Sequence, residues 1–147
     1  MKDKTILLIE DNPSDIDLTR RALEKGHILN ELVVTSDGQE ALDYLLGVGA
    51  YEGRDPSDSP ALTLLDLKLP KVSGLDVLRR IREDAVTRRM TVVILTSSRE
   101  EQDMATSYDL GVNSYIRKPV DFESFVQSVA QLGLYWLVLN EEPPKVK

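Results

Sequence analysis

The chain has 147 residues, 41% of them hydrophobic, with 18 Lys and Arg against 25 Asp and Glu for a net charge of −7. That length suits one packed core and is short for two. An acidic surface repels a phosphodiester backbone, and Arg79-Arg80 and Arg88-Arg89 are isolated pairs, so no nucleic-acid contact is expected. The lack of Cys excludes disulfides and thiol chemistry and fits a reducing compartment. The apolar run at 5–9 is too short for a signal-peptide core, and 132–139 too short to span a bilayer. A soluble, cytoplasmic protein without membrane contact is expected.

Strand-like and helix-like stretches alternate five times. Residues 5–9 (TILLI) read as the first strand. Asn12 is placed to cap a helix reaching about residue 25, with Pro13 at its first position. Residues 32–35 (LVVT) form a short second strand, and Ser36-Asp37-Gly38 turns into a helix over 39–46. The long connection 47–60, rich in Gly, Asp, Ser and Pro, is expected to be a plain solvated surface loop. Residues 61–65 (ALTLL) form the third strand and 75–83 the third helix. Residues 91–95 (TVVIL) form the fourth strand, and 99–110 a helix stopped by Gly111. Residues 114–116 form the fifth strand and 122–139 the last helix, with Phe125, Val129, Leu132 and Trp136 as its core-facing stripe. Residues 1–140 are expected to form one domain and 141–147 an unstructured tail.

Alternating strands and helices imply βαβ units, so the fold class is α/β, a doubly wound five-stranded parallel sheet. TILLI, ALTLL and TVVIL are near-continuously apolar, as strands buried on both faces should be. LVVT and SYI are shorter and more polar, as suits edges. The order is therefore 2-1-3-4-5, and the winding reverses between strands one and three. A ligand is expected outside the carboxyl ends of those two strands.

The strand ends carry chemistry. Strand one ends in Glu10-Asp11, strand three in Asp66, strand four in Thr96-Ser97 and strand five in Arg117-Lys118-Pro119. In a parallel sheet these lie at one edge. Two carboxylates ~4 Å apart repel by ~4 kcal/mol at an effective dielectric near 20, so the cluster needs a cation. Hard oxygens with no His or Cys partner point to Mg2+ rather than zinc. A remaining carboxylate is then able to attack a phosphoryl group, with Lys118 and Thr96 as partners of its oxygens. The lone His27 is read as a surface residue, and Lys68 and Lys71 as surface lysines flanking the site.

Glu10-Asp11, Asp66 in LLDLKLP, Thr96 in ILTSS and Lys118-Pro119 in YIRKP resemble the receiver domain of two-component response regulators, over about residues 4–139. The resemblance implies a flavodoxin-like fold and Asp66 as phosphoacceptor from a sensor histidine kinase. It implies Mg2+ held by Asp11, Asp66 and the backbone carbonyl of Lys68, with Glu10 helping through water. It further implies Thr96 and Tyr115 as switch residues and a cis Lys118–Pro119 bond. Ser97 is expected to offer a backbone contact to phosphoryl, and Ser98 to be a loop residue. Two features depart from the common pattern: Glu-Asp replaces an acidic Asp-Asp pair, and Ser73 stands where Asp is frequent. Such a domain assists its own phosphorylation without being an enzyme in the turnover sense.

Nothing after the fifth helix reads as a DNA-binding or catalytic domain, so output is expected through protein contact. From Leu132 on, Leu134, Tyr135, Leu137, Val138 and Leu139 make the helix apolar all round, which requires a second covering surface. The expectation is a homodimer through this helix, with Tyr135, Trp136 and Leu139 at the interface. Gly133 is read as a close-approach or bend position. The long loop, LLDLKLPKVSG, ILTSSREEQD and the LYWLVLNEEPP-like end resemble stand-alone receivers that serve phytochrome-type kinases, and a histidine phosphotransfer protein is a further expected partner. Two other readings stand beside this one. A Mg2+-dependent phosphohydrolase usually carries a second Asp two residues after the first, where this chain has Lys68. A structural adaptor without phosphorylation would not need the intact acidic set.

Overall fold

In the computed structural model, which describes residues 4–97, 100–118 and 121–144, the five stretches expected as strands form strands. Strands β1 (Ile6–Ile9), β3 (Leu62–Leu65) and β4 (Val92–Thr96) are buried at every position. Strand β2 (Leu32–Thr35) is mostly half-buried, and β5 (Ser114–Arg117) is half-buried with Arg117 exposed. All neighbours pair in parallel in the order β2-β1-β3-β4-β5, as expected. Side chains of a strand alternate between faces, which splits the core in two. Leu7, Ile9 and Ile94 face helices α2 (Gly38–Leu46) and α3 (Gly74–Glu83). Ile6, Leu8 and Val93 face α1 (Pro13–Lys25) and α5 (Phe122–Gly133). Helix α4 (Glu101–Asp109) lies between β4 and β5 in sequence.

The caps follow from sequence. Asn12 Oδ1 accepts the N–H groups of Ser14 and Asp15 at the start of α1, with Pro13 at the first helical position. Asp37, Ser73 and Asp121 do the same for α2, α3 and α5. Each satisfies donors that the helix cannot satisfy for itself.

Three expectations change. First, the last helix is not uniform. Helix α5 ends at Gly133 and a π-helical segment follows at Leu134–Leu139. A wider turn accommodates an extra residue, so the inward position moves: Leu137 is buried, while Leu132 and Trp136 are only half-buried against the same core. A Cβ on Gly133 would lie 2.2 Å from Ile28 Cδ1, so the close approach at this glycine comes from the same chain's α1–β2 connection.

Second, the 47–60 connection is not a plain solvated insertion. A short 3-10 turn at Gly49–Tyr51 folds it back onto α2. Tyr51 donates a 2.7 Å hydrogen bond to Glu40 and sets its ring edge-on to Tyr44, centroids 5.1 Å apart. The Arg54 guanidinium lies 4.0 Å over the Tyr44 ring and donates to the carbonyls of Tyr44 and Asp58. The polar composition of the loop hid this aromatic–guanidinium stack. Third, β4 includes Thr96 and β5 includes Arg117, each one residue beyond the expected end. His27 is exposed, as expected. Residues 140–144 carry no helix or strand, though Glu142, Pro143 and Pro144 line a cleft with Pro60, Val86 and Met90.

Candidate functional site

The sheet ladder runs past the strands and fixes the residues beyond them. Glu10 donates its N–H to Thr35 at 3.0 Å, Asp66 donates to Ile9 at 3.0 Å, and Lys118 donates to Thr96 at 2.6 Å. Three strand ends are thereby held at one edge. Behind them the amino end of α3 presses close. Gly74 donates to the Leu67 carbonyl at 2.9 Å, and a Cβ on Gly74 would lie 2.2 Å from the Asp66 carbonyl oxygen. Only glycine admits that approach.

Glu10, Asp11 and Asp66 each bring a carboxylate oxygen within 4.8 Å of the others. Lys118 Nζ lies 2.6 Å from Glu10 Oε1, 2.8 Å from Asp15 Oδ2 and 3.9 Å from Asp66 Oδ2. Glu10, Asp66 and Lys118 are buried, and Asp11 is exposed at the mouth. Burial pushes the Glu10 carboxyl up from its ordinary 4.5 to about 7, with Asp66 adding to the rise and Lys118 opposing it. Burial alone would lower the Lys118 ammonium. Hydrogen bonds and charge from Asp15 and Glu10 outweigh it and hold the group above its usual range.

Negative charge is in excess here: Glu10, Asp15 and Asp66 all lie within 3.9 Å of one ammonium, and Asp11 joins Glu10 and Asp66 in a cluster of three carboxylates. All donors are hard oxygens, with one open to solvent. That set fits a hard divalent cation and does not fit zinc or copper. The same set leaves a buried carboxylate, Asp66, beside an ammonium that stops short of it, which suits stabilisation of negative charge built on Asp66.

The other sequence-predicted residues fall at the rim or behind it. Thr96 is fully buried at the end of β4, and Ser97 is exposed just after it. Lys68 is exposed, with its N–H 3.4 Å from Asp66 Oδ1. Tyr115 is half-buried on β5, packed against the core beneath α2 and α3. Ser98 and Pro119, and so the expected cis peptide, lie outside the described residues. Tyr135 and Leu139 are exposed far from this edge, and Trp136 meets Tyr135 edge-on at 4.8 Å. Sequence reasoning missed Asp15. Its one local signal is its place in the first turn of α1, four residues after Asp11.

The family model described as the response regulator receiver domain matches residues 6–130. The chain is 38% identical over 134 residues to the response regulator Rcp1 of Synechocystis sp., covering 91% of this chain and 89% of that protein. Among solved structures, it is similar to the phosphorylated cyanobacterial phytochrome response regulator RcpA, with a TM-score of 0.87, 39% identity and coverage of 97% and 100% of the two chains. The Mn2+-bound form of Rcp1 gives a TM-score of 0.85 at 36% identity, covering 96% of this chain and 99% of that one.

Proposed function

The chain belongs to the response regulator receiver domain family, whose members act in phosphorelay signalling, and on that premise we propose that Asp66 is its phosphoryl acceptor. The carrying observation is the placement of Asp66: buried at the end of β3, within 4.8 Å of two further carboxylates and 3.9 Å from Lys118 Nζ. In this reading an Asp66 oxygen attacks the phosphorus of a phosphohistidine on a sensor histidine kinase. The P–N bond breaks, a P–O bond to Asp66 forms, and the imidazole leaves. Lys118 and Thr96 contact the transferred oxygens, and the Ser97 backbone completes their hydrogen bonding. Asp11, Asp66 and the Lys68 carbonyl would hold Mg2+, with Glu10 acting through water. When bound, the metal neutralises charge on the transferring group. Thr96 and Tyr115 are the proposed switch pair. The chain assists the reaction on itself and turns over no free substrate.

The proposal extends to partners. Similarity to the cyanobacterial phytochrome response regulator RcpA supports a phytochrome-type sensor kinase as donor. A histidine phosphotransfer protein is the proposed onward acceptor, in the cytoplasm. Among the described residues no helix is long and apolar enough to cross a membrane. The exposed apolar side chains of Leu134, Tyr135, Val138 and Leu139 support a homodimer, with Tyr135, Trp136 and Leu139 in the contact. Residues 1–140 form the proposed receiver unit and 141–147 its tail. A phosphohydrolase is disfavoured by Lys68 at the second nucleophile-pair position, and a phosphate-free adaptor by the intact acidic set.

The test is phosphotransfer from a phosphorylated histidine kinase to wild type and D66N. Wild type is expected to gain one phosphoryl group by intact mass, labile to base, and D66N none. Transfer surviving in D66N would overturn the assignment.

A further inference from the structure

We propose that Asp15 is a positioning residue for phosphoryl acceptance, anchoring one donor of the Lys118 ammonium so that another stays directed to the Asp66 side of the site. The inference rests on the reading of Asp66 as acceptor.

An ammonium has three N–H donors in a fixed tetrahedral relation. Glu10 Oε1 at 2.6 Å and Asp15 Oδ2 at 2.8 Å occupy two of them. Asp66 Oδ2 at 3.9 Å is beyond hydrogen-bond reach. The two anchors sit on different elements, one at the end of β1 and one in the first turn of α1. Together they fix both the place of Nζ and its rotation. With Glu10 alone, the four-carbon stem would let the ammonium pivot about a single contact. The third donor is then the one available to an oxygen carried on Asp66.

Asp15 is itself rigidly mounted. Its N–H is bonded to Asn12 Oδ1 at 3.2 Å, and its carbonyl accepts from Thr19 Oγ1 at 2.9 Å. An acid at the third helical position commonly turns back to the cap backbone. Here the carboxylate instead meets a lysine 103 residues away. Its side chain is 34% exposed against 9% for Lys118, so the outer anchor stands at the mouth and the inner one, Glu10, is buried.

The experiment uses the full chain with Mg2+ and beryllofluoride, followed by fluorine NMR. Lys118 is followed separately, in the metal-free protein, through its side-chain nitrogen resonance. Binding by wild type and none by D66N upholds the acceptor reading; no binding by wild type would sink that reading and the inference with it. Given wild-type binding, D15N is expected to bind beryllofluoride about tenfold more weakly, the scale of one charge-assisted contact. The Lys118 nitrogen signal should shift or broaden in D15N and return in D15E, which keeps the charge. Mg2+ binding alone, measured by calorimetry, should change less than about threefold, because Asp15 acts through the ammonium. Asp15→Ser, suited to a first helical turn, serves as a second uncharged variant if D15N does not fold. Wild-type beryllofluoride affinity in the uncharged variant, or an unmoved Lys118 signal, would overturn the proposal. So would a loss of Mg2+ binding as large as the loss of beryllofluoride binding.

Discussion

Lys118 stands where a divalent cation would compete with it for the same carboxylates. Replacing it by Met keeps the stem and removes the charge, leaving Glu10 and Asp66 buried without their cation. Breaking a buried pair in this way costs roughly 3 kcal/mol, because the remaining charge is uncompensated. K118M should therefore melt well below wild type in chelator and recover much more of its stability than wild type on adding Mg2+. Equal Mg2+ effects on both proteins would show that metal and ammonium do not share ligands. The pH dependence has a definite sign. The Glu10 carboxyl is raised from 4.5 to about 7, so the stability linked to its proton is full below about 4.5 and lost as pH rises through about 7. Stabilisation by Mg2+ should grow over that same interval, since the ion takes the place of the proton.

At the scale of elements, the contact between α3 and the end of β3 is the most exacting. Gly74→Ala would drive a methyl to 2.2 Å from the Asp66 carbonyl, which is backbone and has little room to yield. The expected cost is about 2 kcal/mol of stability, with weakened Mg2+ binding as Asp66 is displaced. Thermal melts and calorimetry check both; an Ala variant with wild-type stability would refute the packing. The elements themselves were legible in sequence because burial on both faces leaves an unmistakable apolar run, and because Asn12-Pro13, Asp37-Gly38 and Ser73-Gly74 announce their helices. The rest depended on distant partners. The π segment follows α5 where Gly133 meets Ile28, and no periodicity in 122–139 reports that neighbour. Asp15 reads locally as a favourable acid at a helix start, and its ion pair exists only once β5 is docked. The Tyr51–Glu40 and Arg54–Tyr44 contacts were likewise masked by a loop composition typical of solvent.

The whole molecule has two chemically distinct ends. The carboxylates gather at the carboxyl edge of the sheet, while Leu134–Leu139, after a helix that runs back against β5, lies toward the opposite edge, where Lys4 Nζ donates to the Leu137 carbonyl at 2.7 Å. If the exposed apolar side chains there join two copies, solution mass should be twice that of the chain, and L139E should halve it without impairing phosphoryl acceptance. Wild-type mass equal to one chain, with and without beryllofluoride, would remove the dimer. The same separation has an optical consequence. Trp136 is the only tryptophan and stands half-buried beside Tyr135 at this far end. If two copies do meet there, its emission is a native gauge of that assembly, red or blue according to whether water or a second copy covers the indole. Chemistry at Asp66 reaches that signal only by way of a change in shape.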